Sequence, residues 1–155
     1  MVKKRLLAML GGVTVVLLGA MVIWSVQPAS AKPTVTVYKN ATCGCCRGWI
    51  EHLRKEGYEV IAEDVDNLAA IKAELGVRSS FSSCHTALVD GYIVEGHVPA
   101  ADIDRLLAER PEIAGLSAPG MPASSPGMAI PGRPVDPFDV LAFDELGKTT
   151  VYAKH

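Results

Sequence analysis

The pattern of apolar and polar residues divides the chain into alternating strand-like and helix-like segments. Two stretches of alternating, β-branched residues are each followed by apolar residues at helical spacing. Thr42 is a suitable cap for the first helix, and Asp66 or Asn67 for the second. Gly57 and Gly76 suit the left-handed position after each helix. The predicted elements are a strand at residues 34–39, a helix at 42–57, a strand at 58–65 and a helix at 66–76. This order implies a parallel pair of strands with crossover helices.

The strongest local signal in the second half of the chain is a hairpin. Residues 85–89 and 92–95 have strand character and flank Asp90-Gly91, a dipeptide typical of a tight turn. Pro99 then suits the start of a third helix, whose apolar stripe ends before Pro111. The predicted fold class is therefore α/β, with the element order β-α-β-α-β-β-α.

Residues 112–134 differ from the rest of the chain because they are rich in proline and glycine, and no regular element is predicted there. They include Met121 and Met128, each of which follows a glycine. Because a loop this long in a small domain is usually functional, we expect it to fold over a pocket as a lid. Beyond it, residues 138–143 and 149–152 predict a C-terminal hairpin.

The N-terminus has the layout of a secretory signal. Lys3-Lys4-Arg5 precedes an uncharged apolar run at residues 6–26, and Ala29 and Ala31 give an A-x-A cleavage pattern. The run is also long enough to span a bilayer, so residues 1–31 are either a signal peptide or a membrane anchor. Both interpretations place one domain, residues 32–155, on the export side of the membrane.

The charge pattern gives no indication of a nucleic-acid partner. The formal net charge is -2, and the basic residues form no stripe or block beyond Lys3-Lys4-Arg5. A nucleic-acid-binding surface requires clustered basic residues, so this class of function is excluded.

The candidate chemistry is concentrated in the four cysteines of the chain. Cys43, Cys45 and Cys46 stand at the predicted start of the first helix, where unpaired amides and the helix dipole favour thiolate. A C-x-x-C pair at this place in a β-α-β-α-β-β-α chain is the thioredoxin arrangement. The chain departs from that arrangement by adding Cys45 between the pair. It also has Cys84-His85 where thioredoxins have a cis-proline facing the motif, so we expect these two residues beside the other thiols.

Four short motifs together resemble a known family. They are Cys43-x-Cys45-Cys46, Ser83-Cys84-His85-Thr86, Glu95-Gly96-His97-Val98-Pro99 and residues 120–128, which include both glycine–methionine pairs. With these motifs, residues 34–128 resemble the CopG-type periplasmic copper-resistance proteins, long catalogued as a domain of unknown function. The resemblance implies a thioredoxin-like fold whose cysteine pocket holds copper as a multinuclear cluster. It also implies a role in copper resistance through handling or interconverting Cu(I) and Cu(II).

The donor atoms favour the same metal. Thiolate and thioether ligands select Cu(I), and imidazole accepts Cu(I) or Cu(II). Zn²⁺ would also bind such a site but has little use for thioethers, so the methionines favour copper. Adjacent thiolates either share metal ions or form a disulfide, so more than one Cu(I) per chain is expected. The predicted copper ligands are Cys43, Cys45, Cys46, Cys84, His85, His97, Met121 and Met128.

Other interpretations of these residues stay open. Cys43 and Cys46 have the spacing of an exported dithiol pair, which would make the protein a periplasmic thiol–disulfide oxidoreductase. His97 also fits an exposed loop histidine, and both methionines fit a segment without order. His52 and His155 are interpreted as solvated and are left out of the site. Two roles in copper handling also remain: redox cycling, or passing Cu(I) unchanged to a copper exporter or another periplasmic copper protein.

Overall fold

The computed structural model describes residues 31–128, 132 and 134–155. The predicted signal or anchor lies almost entirely outside these residues. Residues Lys32–His155 form one compact unit. Among the described residues, no helix combines the length and apolar character needed to cross a membrane.

A mixed seven-stranded sheet forms the centre of the described part of the chain, in the order β2-β1-β3-β4-β5-β6-β7. The strands are β1 (Val35–Lys39), β2 (Val60–Asp64), β3 (His85–Val89), β4 (Tyr92–Gly96), β5 (Gly115–Ala118), β6 (Asp139–Phe143) and β7 (Thr149–Lys154). Three α-helices within the same residues are α1 (Gly44–Lys55), α2 (Leu68–Glu74) and α3 (Ala100–Glu109), and Ser79–Phe81 forms a 3-10 turn. The predicted α/β class and the order β-α-β-α-β-β-α are therefore confirmed.

The pairing of the strands also follows the prediction. β1 and β2 are parallel, as expected for strands joined by a crossover helix. β3 and β4 form an antiparallel hairpin, and the turn between them places both Asp90 and Gly91 at positive φ. The predicted C-terminal hairpin is present as the antiparallel pair β6 and β7.

The prediction that residues 112–134 contain no regular element is wrong for one segment. β5 lies inside this range and joins the β6–β7 hairpin to the rest of the sheet. It was missed because it is only four residues long and lacks β-branched side chains. Its Gly115 packs so closely on β4 that an added Cβ would lie 1.9 Å from the carbonyl oxygen of Ile93.

The first helix begins at the cysteines and packs through one face on the sheet. The buried residues of α1 are Cys46, Trp49, Ile50 and Leu53, which share one face of the helix because of their helical spacing. The predicted cap at Thr42 is wrong, since the N-cap is Cys43, whose Sγ accepts a hydrogen bond from the backbone N–H of Cys46. In α2 the cap is Asn67, whose side chain accepts from the N–H of Ala70.

Candidate metal centre

The ends of several elements meet at one edge of the sheet. The last residue of β1, Lys39, pairs with His85 at the start of β3. β4 ends at Gly96, directly before His97, so both histidines lie at this edge. α1 begins just after β1, which brings its first turn to the same place. An added Cβ on Gly96 would lie 2.4 Å from the Cβ of Ser83, so only glycine permits this approach of the two chain segments.

The four cysteines form a single cluster. Their sulfur atoms all lie within 4.8 Å of one another. Cys43 and Cys46 are joined by a disulfide, whereas Cys45 and Cys84 are free thiols. The Cys45 Sγ lies 3.6 Å from the Cys43 Sγ and 3.8 Å from the Cys84 Sγ. The Cys84 Sγ is also 3.6 Å from the Cys46 Sγ, so this sulfur from the β3 side faces the three sulfurs at the start of α1.

Both predicted histidines lie beside Cys84. The Cys84 Sγ is 3.1 Å from the Nε2 of His97 and 3.4 Å from the Nδ1 of His85. Both imidazoles are fully buried, so the interpretation of His97 as an exposed loop histidine is wrong. Together Cys84, His85 and His97 form a second group of possible metal ligands, which shares one sulfur with the first.

A backbone carbonyl fixes the tautomer of His97. The Nδ1 of His97 lies 2.7 Å from the carbonyl oxygen of Pro126. Because a carbonyl can only accept, Nδ1 carries the proton and Nε2 presents its lone pair to the Cys84 sulfur. Metal-binding histidines are oriented in the same way, with one ring nitrogen donating to an outer partner.

The protonation of both imidazoles suits a metal ligand. Burial lowers the pKa of His97, and the carbonyl of Pro126 opposes this only in part. Burial, followed by the neighbouring charges of His97 and Lys72, holds the pKa of His85 well below its ordinary value. The Nε2 of His85 is buried and has no hydrogen-bond partner among the described residues. A buried nitrogen without a partner is costly to the fold. The other ring nitrogen, Nδ1, is the one that faces the Cys84 sulfur and would bind a metal ion there.

The Cys84 thiol is strongly held in its protonated form. Burial, and then the adjacent Cys45, raise the pKa of Cys84 to about 12. A soft metal ion reverses this preference because a coordinating thiol loses its proton outright. Metal binding at Cys84 would therefore release a proton near neutral pH.

The proline- and glycine-rich segment packs on the start of α1. An added Cβ on Gly127 would lie 2.4 Å from the backbone nitrogen of Trp49 and 3.0 Å from the carbonyl oxygen of Cys45. The segment is also held near its start, where the backbone N–H of Gly120 donates to the carbonyl of Ser82 at 3.0 Å. These contacts agree with the expectation that the loop folds over the site. Of its two methionines, Met121 is 56% exposed and Met128 is half-buried.

Comparisons with known proteins agree with this picture. A family model described as "Protein of unknown function, DUF411" matches residues 81–128. The curated proteins gave no match. Two solved structures, "Copper resistance protein copG- Form 1" and "Copper resistance protein copG- Form 2", are each 42% identical to this chain with a TM-score of 0.75. Each alignment covers 80% of this chain and 98% of the solved one. The chain belongs to the CopG family of copper resistance proteins. Family membership and the cysteine cluster together support a copper-related function, and membership is consistent with an exported protein.

Behind the cysteines of this CopG-family chain lies a buried polar network that was not predicted. The carboxylate of Glu95 is fully buried and accepts hydrogen bonds from the N–H of Ser83 at 2.6 Å and the hydroxyl of Thr86 at 2.7 Å. It also pairs with the ammonium of Lys72. Burial raises the pKa of Glu95, and Lys72 opposes that shift. Since Ser83 precedes Cys84, the network fixes the backbone that carries this thiol.

The sequence offered only a partial signal for this network. Glu95 belongs to one of the motifs shared with CopG proteins, but nothing along the chain indicates that Lys72 of α2 reaches it.

The interpretation of His52 as solvated is also wrong. His52 is half-buried, and its Nε2 accepts a hydrogen bond from the N–H of Ala100 at 3.1 Å, at the start of α3. His155 is exposed and lies 2.7 Å from the carboxylate of Asp102.

Proposed function

We propose that this protein is an exported copper-binding protein that holds Cu(I) between the thiolates of Cys43, Cys45, Cys46 and Cys84 once the disulfide is reduced. The observation that carries the proposal is the cluster of four sulfur atoms within 4.8 Å of one another. Thiolates so placed form a soft ligand set that suits both Cu(I) and Zn²⁺, and the similarity to copper resistance proteins favours Cu(I). The role is copper resistance, the property after which the related proteins are named.

More than one Cu(I) fits this arrangement. The Cys45 Sγ lies within 4 Å of two other sulfurs, and so does the Cys84 Sγ. Sulfurs this close cannot each hold a separate ion, so the ions share them through bridging thiolates. The site would then contain a multinuclear Cu(I) cluster.

The histidines and the loop support the same proposal. Imidazole accepts both Cu(I) and Cu(II), so His85 and His97 would keep copper bound when its oxidation state changes. This supports interconversion of Cu(I) and Cu(II) as part of the function. Met121 and Met128 would add thioether ligands from the loop that packs on α1. A copper exporter or another exported copper protein would receive the ion.

Anaerobic titration of the reduced, metal-free protein with Cu(I), followed by native mass spectrometry, tests this proposal. We expect more than one Cu(I) per chain. Cys84→Ser should lower the number bound, because Cys84 contacts the sulfurs of both Cys45 and Cys46. His97→Gln should weaken Cu(I) binding, because His97 lies beside Cys84. His155→Gln is the matched control and should leave Cu(I) binding unchanged, because His155 is exposed and lies outside the cluster. One Cu(I) or fewer in the unsubstituted protein would contradict the cluster.

A second function is favoured by one observation, the disulfide between Cys43 and Cys46. Such a pair at a helix start is typical of thiol–disulfide oxidoreductases. Against this function, Cys45 lies 3.6 Å from the Cys43 sulfur and would compete for every mixed disulfide with a client. Insulin reduction by the metal-free protein measures the activity directly. Rapid turnover would favour the oxidoreductase over copper binding.

A further inference from the structure

We propose that the Cys43–Cys46 pair is the internal electron store of the copper site, so that closing its disulfide reduces two Cu(II) ions to Cu(I). This inference rests on the proposed copper-binding function and adds to it the source of the electrons. It assigns different tasks to the four cysteines, with Cys43 and Cys46 as the redox couple and Cys45 and Cys84 as permanent thiol ligands.

The structure distinguishes the two pairs. Of the four neighbouring sulfurs, only those of Cys43 and Cys46 are bonded, although the Cys45 and Cys84 sulfurs lie just 3.8 Å apart. The bonded pair spans the first turn of α1, with three residues of separation. Bonding Cys45 to Cys84 would instead join residues 39 positions apart on separate elements.

Closing the disulfide changes the ligand set without abolishing it. With the pair reduced, four thiols converge and provide the soft set that Cu(I) prefers. With the pair oxidised, Cys84 keeps the Nε2 of His97 at 3.1 Å and the Nδ1 of His85 at 3.4 Å. Imidazole accepts Cu(I) as well as Cu(II), so these residues still hold the Cu(I) that the reaction forms. Because fewer thiolates remain for Cu(I) once the disulfide is closed, its transfer to an acceptor protein becomes easier.

The reaction balances within the site. Each Cu(II) takes one electron, the two thiol groups lose their protons and two electrons in all, and one S–S bond forms. The products are two Cu(I), two protons and the disulfide. A two-electron couple of this kind is the normal chemistry of a dithiol.

Resetting the site requires a reductant, which we assign to the class of exported dithiol proteins. Its thiolate would attack one sulfur of the disulfide, and its second thiol would resolve the mixed disulfide. Cys43 is the accessible target because its side chain is half-buried, whereas Cys46 is completely buried. The dithiol is oxidised to its own disulfide, and both cysteines regain their thiols.

The test adds Cu(II) to reduced, metal-free protein under argon and traps Cu(I) with bathocuproine disulfonate, while alkylation and peptide mapping locate the disulfide. We expect two Cu(I) per chain, a Cys43–Cys46 disulfide, and Cys45 and Cys84 still open to alkylation. Protein prepared with this disulfide already closed should produce no Cu(I). A Cys45–Cys84 disulfide, or equal Cu(I) yields from the open and closed forms, would overturn the assignment.

Two double variants that each remove two of the four sulfurs provide a matched comparison. Cys43→Ala with Cys46→Ala should lose the rapid two-electron yield. Cys45→Ala with Cys84→Ala should bind copper more weakly but still close the remaining disulfide when Cu(II) is saturating. The reverse pattern would refute the proposal. Binding of Cu(I) to the reduced protein is measured separately, so that failure of reduction is distinguished from failure of copper binding.

Discussion

Replacing Gly127 by alanine tests whether the proline- and glycine-rich loop prepares the metal site. Gly127 has φ of +83°, and an added Cβ would lie 2.4 Å from the backbone nitrogen of Trp49 and 2.8 Å from the carbonyl carbon of Gly48. Both atoms belong to the backbone of α1, so neither can move aside easily. We expect the loop to shift away from α1, taking the Pro126 carbonyl from the Nδ1 of His97.

The size of the effect follows from two separate terms. The left-handed conformation costs alanine about 1 kcal/mol of folding free energy relative to glycine. Loss of an outer partner of a metal-binding histidine lowers metal affinity by about 10–100-fold, which equals about 1.4–2.7 kcal/mol of binding free energy. Gly120→Ala measures the cost of the left-handed conformation alone, since Gly120 has φ of +69° and an added Cβ there would meet no atom within 4 Å.

Competition between the protein and a Cu(I) chelator of known affinity, in the absence of oxygen, measures the difference. Gly127→Ala should bind Cu(I) about 10–100-fold more weakly, whereas Gly120→Ala should match the unsubstituted protein. Thermal unfolding of both variants checks that each remains folded and that they lose similar stability from the backbone term. Equal Cu(I) affinities for the two variants would refute the role of the loop in orienting His97.

Two further predictions concern the stability of the metal-free protein. His85 has a folded-state pKa below its ordinary value of 6.5, so the unfolded chain takes up a proton first as the pH falls. The melting temperature should therefore drop as the pH falls below about 6.5, and His85→Phe should flatten that drop; an unchanged pH profile in the variant would count against the assignment. Glu95→Gln should destabilise the fold by about 3–5 kcal/mol in chemical denaturation, because the ammonium of Lys72, whose side chain is only 12% exposed, would lose its charged partner. Asp90→Asn, in an exposed ion pair with Arg110, should cost at most about 1 kcal/mol, and similar losses from both variants would contradict the role of burial.

The sequence predicted the features that depend on neighbouring residues. The Asp90-Gly91 turn, the glycines after α1 and α2, and the helical spacing around Trp49 are local signals, and each is found at the expected place. The grouping of Cys43, Cys45 and Cys46 at the start of α1 was also predictable, because these residues lie within four positions of the chain. Cys84 and His85 were expected beside them from the thioredoxin arrangement, and the pairing of β1 with β3 brings them there.

The features that were missed depend on contacts between distant segments. β5 becomes a strand because β4 and β6 pair with it on both sides, although its own four residues carry little strand signal. Glu95 and Lys72 meet only because the Lys72 side chain reaches from α2 to the β3–β4 hairpin, where it also donates a hydrogen bond to the hydroxyl of Thr86. The orientation of His97 is set by the carbonyl of Pro126, 29 positions away, and no residue pattern indicates a backbone hydrogen bond of this kind.

The central claim is that copper is held by the sulfur cluster at the start of α1. X-ray absorption at the copper K edge of the reduced protein, loaded with Cu(I) under argon, examines the metal and its ligands together. We predict a Cu(I) edge, a first shell dominated by sulfur, and a copper–copper scattering contribution from ions that share thiolates. A first shell of nitrogen and oxygen atoms alone would contradict the account.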